Sequence, residues 1–211
     1  MGPLTFSVAG GHFRSAITSR SVDAFGNPIP WYTYPAVDFL KVLDLSDSKV
    51  AEFGSGHSTL WWASRAREVL AFEADADWFR EISEKAKRSP NIDIKLVSSP
   101  TDCEQYFKPD YFDVVVVDGG SGLGTKGRAA NAEIAFKNVR RTGLVIVDNT
   151  SADYCRPIIE IANNQGWLRV DLAGHAPGAA KRSCTSLFFK PEVNLLSHLA
   201  APSFSQFRRA S

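Results

Sequence analysis

Residues 50–58 of the chain, VAEFGSGHS, combine an apolar run with one carboxylate and two closely spaced glycines. The apolar run predicts a strand that ends beside Glu52, and the residues after the glycines predict a helix. Gly54 and Gly56 allow a tight turn with positive φ and let a ligand approach the backbone without a Cβ in the way. The start of the helix would offer free N–H groups to an anionic or carboxylate-bearing ligand. A turn with a purely structural role is the alternative.

A second carboxylate, Glu73, ends the next predicted strand and follows Gly54 by nineteen residues. When two such strands lie side by side and parallel, a carboxylate at this place stands beside the glycine turn and can accept both hydroxyls of a ribose. A solvated carboxylate at a strand end is the alternative interpretation. Together, the turn and Glu73 indicate a crevice for a cofactor that contains adenosine.

The residues around the turn discriminate between cofactors. The dinucleotide pattern GxGxxG requires a glycine at position 59, where this chain has Thr59. Glu52 is a poor neighbour for a pyrophosphate, but it can pair with an ammonium group. No second domain remains to hold the substrate of a dehydrogenase. These features favour S-adenosylmethionine over NAD.

Short β-branched runs alternate with amphipathic stretches through the middle of the chain, which predicts an α/β sheet with mostly parallel strands. The predicted strands are Ser48–Phe53, Glu68–Glu73, Asp93–Val97, Tyr111–Asp118, Gly143–Asp148, Trp167–Leu172 and Ser186–Lys190. The predicted helices are one that begins at Pro35 and the segments Thr59–Ala66, Asp77–Ser89, Arg128–Val139 and Pro157–Gln165. Because no helix-length segment joins the last two strands, they are expected to form an antiparallel pair.

Acidic residues also close the fourth and fifth predicted strands. Asp118 precedes Gly119 and Gly120, and Asp148 precedes Asn149. Because the carboxyl ends of parallel strands meet at one edge of a sheet, we expect these residues in the same crevice as the glycine turn. Hard oxygen atoms of this kind suit Mg²⁺. The alternatives are that Asp118 hydrogen-bonds a cofactor or the backbone, and that Asp148 and Asn149 cap the next turn.

The glycine-rich segment 119–127, GGSGLGTKG, does not match a phosphate-binding loop, because Lys126 is followed by glycine. The sequence predicts a flexible loop beside the crevice instead. Arg128 at the end of this segment either meets an anionic substrate group or lies in solvent at the start of a helix.

Composition narrows the class of protein. The 211 residues include 24 Lys and Arg and 23 Asp and Glu, so the net charge of +1 gives no electrostatic reason to expect nucleic acid or an anionic membrane as partner. No apolar run approaches the roughly 20 residues that span a bilayer. Residues 1–6 lack the pattern of a signal peptide. Cys103, Cys155 and Cys184 form no CxxC pattern. We therefore predict a cytoplasmic protein without a disulfide framework or a zinc site.

These motifs resemble those of the class I S-adenosylmethionine-dependent methyltransferases over about residues 31–190. The resemblance rests on the glycine turn, on Glu73, on VVVVDGG at residues 114–120 and on GLVIVDNT at residues 143–150. One departure is Ser58, which stands where many members have a further glycine.

The resemblance implies an architecture: a Rossmann-like, doubly wound sheet of seven strands, mostly parallel, with an antiparallel last strand. It also divides the chain into an N-terminal extension, residues 1–30, a cofactor-binding methyltransferase domain, residues 31–190, and a C-terminal tail, residues 191–211.

The resemblance further implies which residues bind S-adenosylmethionine. In the family the acidic residue and the glycines of the turn hold the methionine part, and the carboxylate that ends the second strand holds the ribose. The implied cofactor-binding residues are Glu52, Gly54, Ser55, Gly56, Ser58, Glu73, Asp118 and Tyr34. Tyr34 belongs to an aromatic cluster with Trp31 and Tyr32, where family members place a segment that covers the cofactor. These rings could offer a cation–π face to the sulfonium or could belong to the core.

The implied reaction is methyl transfer to an O or N atom of a small-molecule acceptor, with Asp118 and Asp148 as the candidate catalytic residues. Asp118, Asp148 and Asn149 resemble the Mg²⁺ ligands of the catechol O-methyltransferase group, so Mg²⁺ is a second candidate cofactor. Two other hypotheses stay open: an NAD-dependent oxidoreductase on the same fold, and a cofactor-binding module without catalysis.

Overall fold

A computed structural model describes residues 10–120 and 122–193, which form one seven-stranded sheet with helices on both faces. The strands are β1 Lys49–Phe53, β2 Glu68–Glu73, β3 Ile92–Leu96, β4 Phe112–Val117, β5 Val139–Val147, β6 Leu168–His175 and β7 Arg182–Phe189. The helices are α1 His12–Thr18, α2 Tyr34–Lys41, α3 His57–Ala63, α4 Ala76–Ala86, α5 Pro100–Glu104, α6 Gly124–Asn138 and α7 Arg156–Asn164, with a 3₁₀ turn at Asp153–Cys155.

The strand order is β3-β2-β1-β4-β5-β7-β6. β1 to β5 are parallel, and β7 runs antiparallel to both β5 and β6. The predicted Rossmann-like sheet with an antiparallel last strand is therefore confirmed. From β1 the chain moves outward to β2 and β3 and then returns to β4 on the other side of β1. This reversal leaves a crevice at the carboxyl ends of β1 and β4, where open α/β sheets bind ligands.

The core has two layers because both faces of the central strands are covered. On one face the rings of Phe53 and Phe72 stack with their centroids 5.4 Å apart. On the other face Val50 packs with Trp62 and Tyr32, and both of these large side chains are completely buried. Burial on both faces explains the nearly continuous apolar sequence of β4.

The observed strand boundaries differ from the predicted ones mainly in the last three strands. β5 begins at Val139 rather than Gly143, β6 extends to His175 rather than Leu172, and β7 begins at Arg182 rather than Ser186. β6 and β7 pair along eight residues, through Gly174 and Ser183. The ladder consists of backbone hydrogen bonds, so a glycine and a serine in the pattern do not end it. β5 begins early because Val139 pairs with Phe112 before an irregularity in the register.

Four predicted helix ends are also wrong by two residues or more: α3 spans His57–Ala63 rather than Thr59–Ala66, α4 ends at Ala86 rather than Ser89, and α6 begins at Gly124 rather than Arg128. Residues 124–127 are therefore helical, although the sequence predicted a flexible loop there. This first turn packs closely on the segment after β4 and requires glycine at position 127, where a Cβ would lie 1.8 Å from the Gly120 carbonyl oxygen. The short helices α1 and α5 were not predicted.

Residues 10–30, which the sequence analysis set apart as an extension, pack on the sheet domain. Ser21 is buried, and its carbonyl oxygen lies 2.7 Å from Nδ1 of His57 in α3. The side chain of His12 accepts a hydrogen bond from the Gly178 N–H in the β6–β7 connection at 3.3 Å. The division of the chain into three parts stays a prediction, and most of the tail, residues 194–211, lies outside the described residues. Among the helices of the described segments, none is long and apolar enough to cross a membrane.

The ends of β1 and β4 approach each other closely through two glycines. Gly54 has a φ of 97°, and a Cβ on it would lie 2.9 Å from the Gly119 nitrogen. A Cβ on Gly119 would lie 2.8 Å from the Gly54 Cα. Both positions therefore require glycine, and their contact brings the glycine turn next to Asp118.

We expect Gly119→Ala to lower the free energy of unfolding by about 1–3 kcal/mol, because the added methyl must push two strand ends apart. Gly56→Ala is the matched control, since its nearest neighbour would be 3.8 Å away in ordinary contact. Urea unfolding of the two variants checks this. An equal loss of unfolding free energy in both variants would contradict the close approach of β1 and β4.

Candidate active site

The glycine turn after β1 is held in place from both sides. The Gly54 N–H donates to the Phe72 carbonyl of β2 at 2.8 Å, so the turn stays against the neighbouring strand. The Gly56 N–H donates to the Thr59 hydroxyl at 2.9 Å. Thr59 thus occupies the place of the third dinucleotide glycine and stabilises the start of α3 with its side chain.

Glu52 lies beneath this turn and is completely buried. Its Oε2 accepts a hydrogen bond of 2.6 Å from the Thr59 hydroxyl, and its Oε1 accepts one of 3.3 Å from the Tyr32 hydroxyl. Tyr32 in turn accepts from the Trp62 indole N–H at 3.2 Å. The carboxylate predicted to contact a cofactor is therefore placed where it supports the turn.

Burial raises the pKa of the Glu52 carboxyl to about 8. Hydrogen bonds from Ser58, Thr59 and Tyr32 act in the opposite direction, and the nearby Asp118 adds to the increase. Removal from water disfavours the charged form of a carboxyl, and here this effect exceeds that of the hydrogen bonds. Glu52 therefore holds a proton at neutral pH.

Glu73 stands at the predicted position beside the turn. Its Oε2 accepts from both the N–H and the hydroxyl of Ser55, each at 2.9 Å. Its Oε1 accepts from the N–H groups of Ala74 and Asp75 at 2.8 and 2.9 Å. These four hydrogen bonds hold the half-buried side chain of Glu73 at the carboxyl edge of β2.

A cleft of about 360 Å³ opens at this edge of the sheet. Nine residues line it: Arg20, Ser21, Trp31, Ser55, Gly56, His57, Ser58, Trp78 and Asp118. Four of them, Ser55, Gly56, Ser58 and Asp118, are predicted cofactor-binding residues. The structure thus brings together around one space the residues that follow β1 and β4, the helices α3 and α4, and the segment before α2.

The three predicted aromatic residues have three different places. Trp31 lines the cleft, and its indole N–H donates to the Pro177 carbonyl at 2.8 Å. Tyr32 is buried on Glu52, as described above. Tyr34 stands beside His12, with the ring centroids 6.1 Å apart. A role of Tyr34 in cofactor binding stays a prediction, and Trp31 is better placed for one.

Two cleft residues, Arg20 and Trp78, were not found from the sequence. The Trp78 indole N–H donates to the Ser55 carbonyl at 2.7 Å, and the Arg20 guanidinium lies 4.9 Å from the centre of the Trp78 ring. Arg20 also pairs with Glu81 at 2.8 Å. Trp78 could have been found as an aromatic residue in the first turn of the helix after Glu73. Arg20 lies in a segment without periodic signal.

Asp118 and Arg128 form an ion pair at the other side of the cleft, with 3.2 Å between Oδ1 and Nη2. The same guanidinium donates through Nη1 to the Asp148 carbonyl at 2.9 Å and to the Asn149 side-chain oxygen at 3.2 Å. Burial raises the pKa of Asp118, while the charge and hydrogen bond of Arg128 lower it.

The Asp148 carboxylate is directed to β7. Its Oδ1 accepts from the Thr185 hydroxyl at 2.6 Å, and burial raises its pKa to about 7, with a smaller contribution from Asp118. The two candidate catalytic carboxylates therefore differ: Asp118 lines the cleft, and Asp148 is buried behind it.

The oxygen atoms suggested for Mg²⁺ do not fit a metal in this arrangement. Arg128 binds an oxygen of each of the three candidate ligands, Asp118, Asp148 and Asn149. Within residues 10–120 and 122–193, no group of three or more His, Cys, Asp or Glu side chains is arranged to hold a metal ion. The cleft does fit an adenosine-containing cofactor, because two glycines leave the backbone open and Glu73 offers a fixed carboxylate beside it.

Comparison with known proteins is informative at the level of structure. No model of a protein family and no curated protein matches the sequence. The fold is similar to a Klebsiella pneumoniae protein assigned as an O-methyltransferase, with a TM-score of 0.63, 17% identity and 90% of each chain covered. It is similar to an rRNA methylase of Streptococcus thermophilus, with a TM-score of 0.55, 14% identity and coverage of 74% of this chain and 96% of that one.

A third similar structure is fibrillarin from Aeropyrum pernix with natively bound S-adenosyl-L-methionine. Its TM-score is 0.54 at 12% identity, over 68% of this chain and 67% of that one. At such low identities the similarity establishes the fold. The resemblance to class I S-adenosylmethionine-dependent methyltransferases is therefore confirmed as a likeness of fold.

We expect the buried Glu52 to make stability fall with rising pH. Because its pKa is about 8 in the folded protein and 4.5 ordinarily, the folded state holds the proton more tightly, and this stabilisation is lost between those two values. The slope approaches about 1.4 kcal/mol per pH unit.

Glu52→Gln, which keeps the shape without a titrating proton, should remove this part of the slope. Asp148 titrates in both proteins, so the difference between their profiles isolates Glu52. Urea unfolding across this pH range measures it. If the free energy of unfolding depended on pH in the same way in the wild type and the variant, this would contradict a buried Glu52 carboxyl that holds its proton.

Proposed function

We propose that the protein is an S-adenosylmethionine-dependent methyltransferase that acts on an O or N atom of a small molecule. The observation that carries the proposal is the fixed carboxylate of Glu73 against Ser55 of the glycine turn. It stands at the carboxyl edge of a sheet that has the fold of known methyltransferases. A turn with a purely structural role would not require a carboxylate at this place, whereas a ribose-binding site would.

The residues present suggest how the cofactor would be held. Glu73 would accept the ribose hydroxyls, and the open backbone of Gly54 and Gly56 would admit the methionine part. Arg20 lines the cleft and would face the carboxylate of the methionine part. Glu52 supports the turn through Thr59, and a contact of Glu52 with the methionine part remains part of the proposal. When bound, the cofactor supplies a methyl group that is already activated as part of a sulfonium.

The chain then has to align the acceptor and to exclude water. The residues around the cleft would hold the acceptor's lone pair toward the activated methyl group, whose transfer would leave the electron pair of the carbon–sulfur bond on sulfur. A proton released from the acceptor passes to Asp118, whose pKa is raised by burial. Arg128 holds that carboxylate toward the cleft.

A small-molecule acceptor is favoured by the cover over the cleft. The carbonyl of Ser21 lies 2.7 Å from His57 Nδ1, and Trp31 is tied to the β6–β7 connection, so the segment before α2 closes one side. The net charge of +1 also offers no general attraction for a polyanion. Because one structural neighbour is an rRNA methylase, an RNA acceptor is the alternative that an acceptor screen must include.

The compartment proposed from the sequence remains the cytoplasm. Cys103, Cys155 and Cys184 are all buried free thiols, which supports a reducing environment. An NAD-dependent oxidoreductase is disfavoured by Thr59 at the third glycine position. A binding module without catalysis would keep the same cleft and would differ only in turnover.

We expect isothermal titration to show binding of S-adenosylmethionine and S-adenosylhomocysteine with a Kd of about micromolar, and no binding of NAD. Glu73→Ala should weaken both sulfur ligands at least about tenfold, because two charge-assisted hydrogen bonds are lost. Glu68→Ala is the matched control, as it removes the same side chain at the opposite end of β2, where Glu68 contacts Tyr111. Equal binding by both variants would show that Glu73 does not belong to the binding site. If the wild type gave no heat with either sulfur ligand, this would contradict the proposed function.

A further inference from the structure

We propose that Arg128 is the resident cation of the acceptor side of the cleft and that this site works without a divalent metal. The inference rests on the proposed function and deepens it. It follows from the contacts of one guanidinium with the three residues that otherwise offer oxygen ligands at the edge of the sheet, Asp118, Asp148 and Asn149.

The Arg128 guanidinium makes one hydrogen bond to each of three residues. Nη2 binds a carboxylate oxygen of Asp118 at 3.2 Å. Nη1 is shared between the Asp148 carbonyl at 2.9 Å and the Asn149 amide oxygen at 3.2 Å. A planar guanidinium with fixed donors can serve several oxygens at once, whereas an ammonium group could not span them in this way. The three oxygens are thus arranged around a guanidinium.

The backbone builds this position for Arg128. Gly127, the preceding residue, packs against the carbonyl oxygen of Gly120, so the first turn of α6 lies directly on the end of β4. One helical turn further on, the buried Asn131 donates to the Gly119 carbonyl at 2.8 Å. These two contacts fix α6 on either side of Arg128. The side chain is consequently aimed along the strand ends of β4 and β5.

Charge and burial support the same conclusion. The Arg128 side chain is 13% exposed and that of Asp118 is 27% exposed. The guanidinium also lies 5.6 Å from the centre of the Tyr154 ring. A largely buried cation needs its counter-charge close by, and here that charge is Asp118. A divalent ion would have to displace the guanidinium from Asp118 or share this carboxylate with it.

The cation can do at this place what a metal would do. It places a permanent positive charge beside the oxygens of the acceptor side, because an arginine stays protonated at any physiological pH. Charge-assisted hydrogen bonds from a guanidinium stabilise an acceptor oxygen that carries negative charge. Arg128 also keeps Asp118 oriented to receive a proton.

Binding of Mn²⁺, measured by electron paramagnetic resonance in the presence of S-adenosylhomocysteine, tests the proposal. Mn²⁺ prefers the oxygen ligands that Mg²⁺ also takes, and it is visible without turnover. The proteins to compare are the wild type, Arg128→Ala, Arg128→Gln and the double variant with Asp118→Asn. Arg156→Ala is the matched control, since this exposed arginine pairs only with Asp153 among the described residues. Thermal melting establishes that each variant is folded.

We expect no bound Mn²⁺ in the wild type or in Arg156→Ala at up to about 1 mM. Removal of the guanidinium, in either variant, should open the oxygens to Mn²⁺, with at least about tenfold tighter binding that Asp118→Asn abolishes. Mn²⁺ binding by the wild type that is lost on Asp118→Asn would overturn the proposal. So would the absence of Mn²⁺ binding from all folded Arg128 variants, because the oxygens would then form no cation site.

Titration with S-adenosylhomocysteine separates this result from the proposed function. If the wild type binds S-adenosylhomocysteine and also binds Mn²⁺ through Asp118, the methyltransferase proposal stands and the role of Arg128 falls. If it binds neither, the proposed function falls, and the Mn²⁺ comparison still reports whether Arg128 occupies the oxygens.

Discussion

The cleft depends on one buried carboxyl group. Glu52 lies near the end of β1, and the groups that act most on its pKa besides burial are the hydroxyls of Ser58, Thr59 and Tyr32 and the carboxylate of Asp118. Through Thr59 it is connected to the Gly56 N–H, and through Tyr32 to Trp62 in the core. A protonated carboxyl can both donate and accept, so it can join these groups where an apolar side chain would leave them without partners. The glycine turn keeps its shape because this network lies under it.

The rest of the site is assembled by close backbone approach. Gly54 against Gly119 joins β1 to β4, and Gly127 against Gly120 joins α6 to the end of β4. Each contact excludes a Cβ, and each brings a functional residue to the edge of the sheet, Asp118 in the first case and Arg128 in the second. The glycines around the cleft therefore set distances, in addition to leaving space for a ligand.

Much of this could be predicted from the sequence, because it follows from local patterns. The apolar runs indicated all seven strands, and the spacing from Gly54 placed Glu73 beside the turn. The contacts of Arg128 could not be predicted, since they depend on how far α6 extends toward β4, and glycines carry no periodic signal. Arg20 reaches the cleft through contacts with Trp78 and Glu81, residues that are distant in sequence. Asp148 followed the expected strand, but its carboxylate bonds to Thr185 on β7, a strand that is distant in sequence.

The most direct test of the central claim is a crystal structure of the protein grown with S-adenosylhomocysteine. The account requires the ligand in the cleft between β1 and β4, with its ribose hydroxyls on Glu73 and its sulfur on the side of Asp118. Arg128 should still bind Asp118 and Asn149 in that structure. A ligand bound elsewhere, or a cleft that stays empty at saturating ligand, would contradict the account.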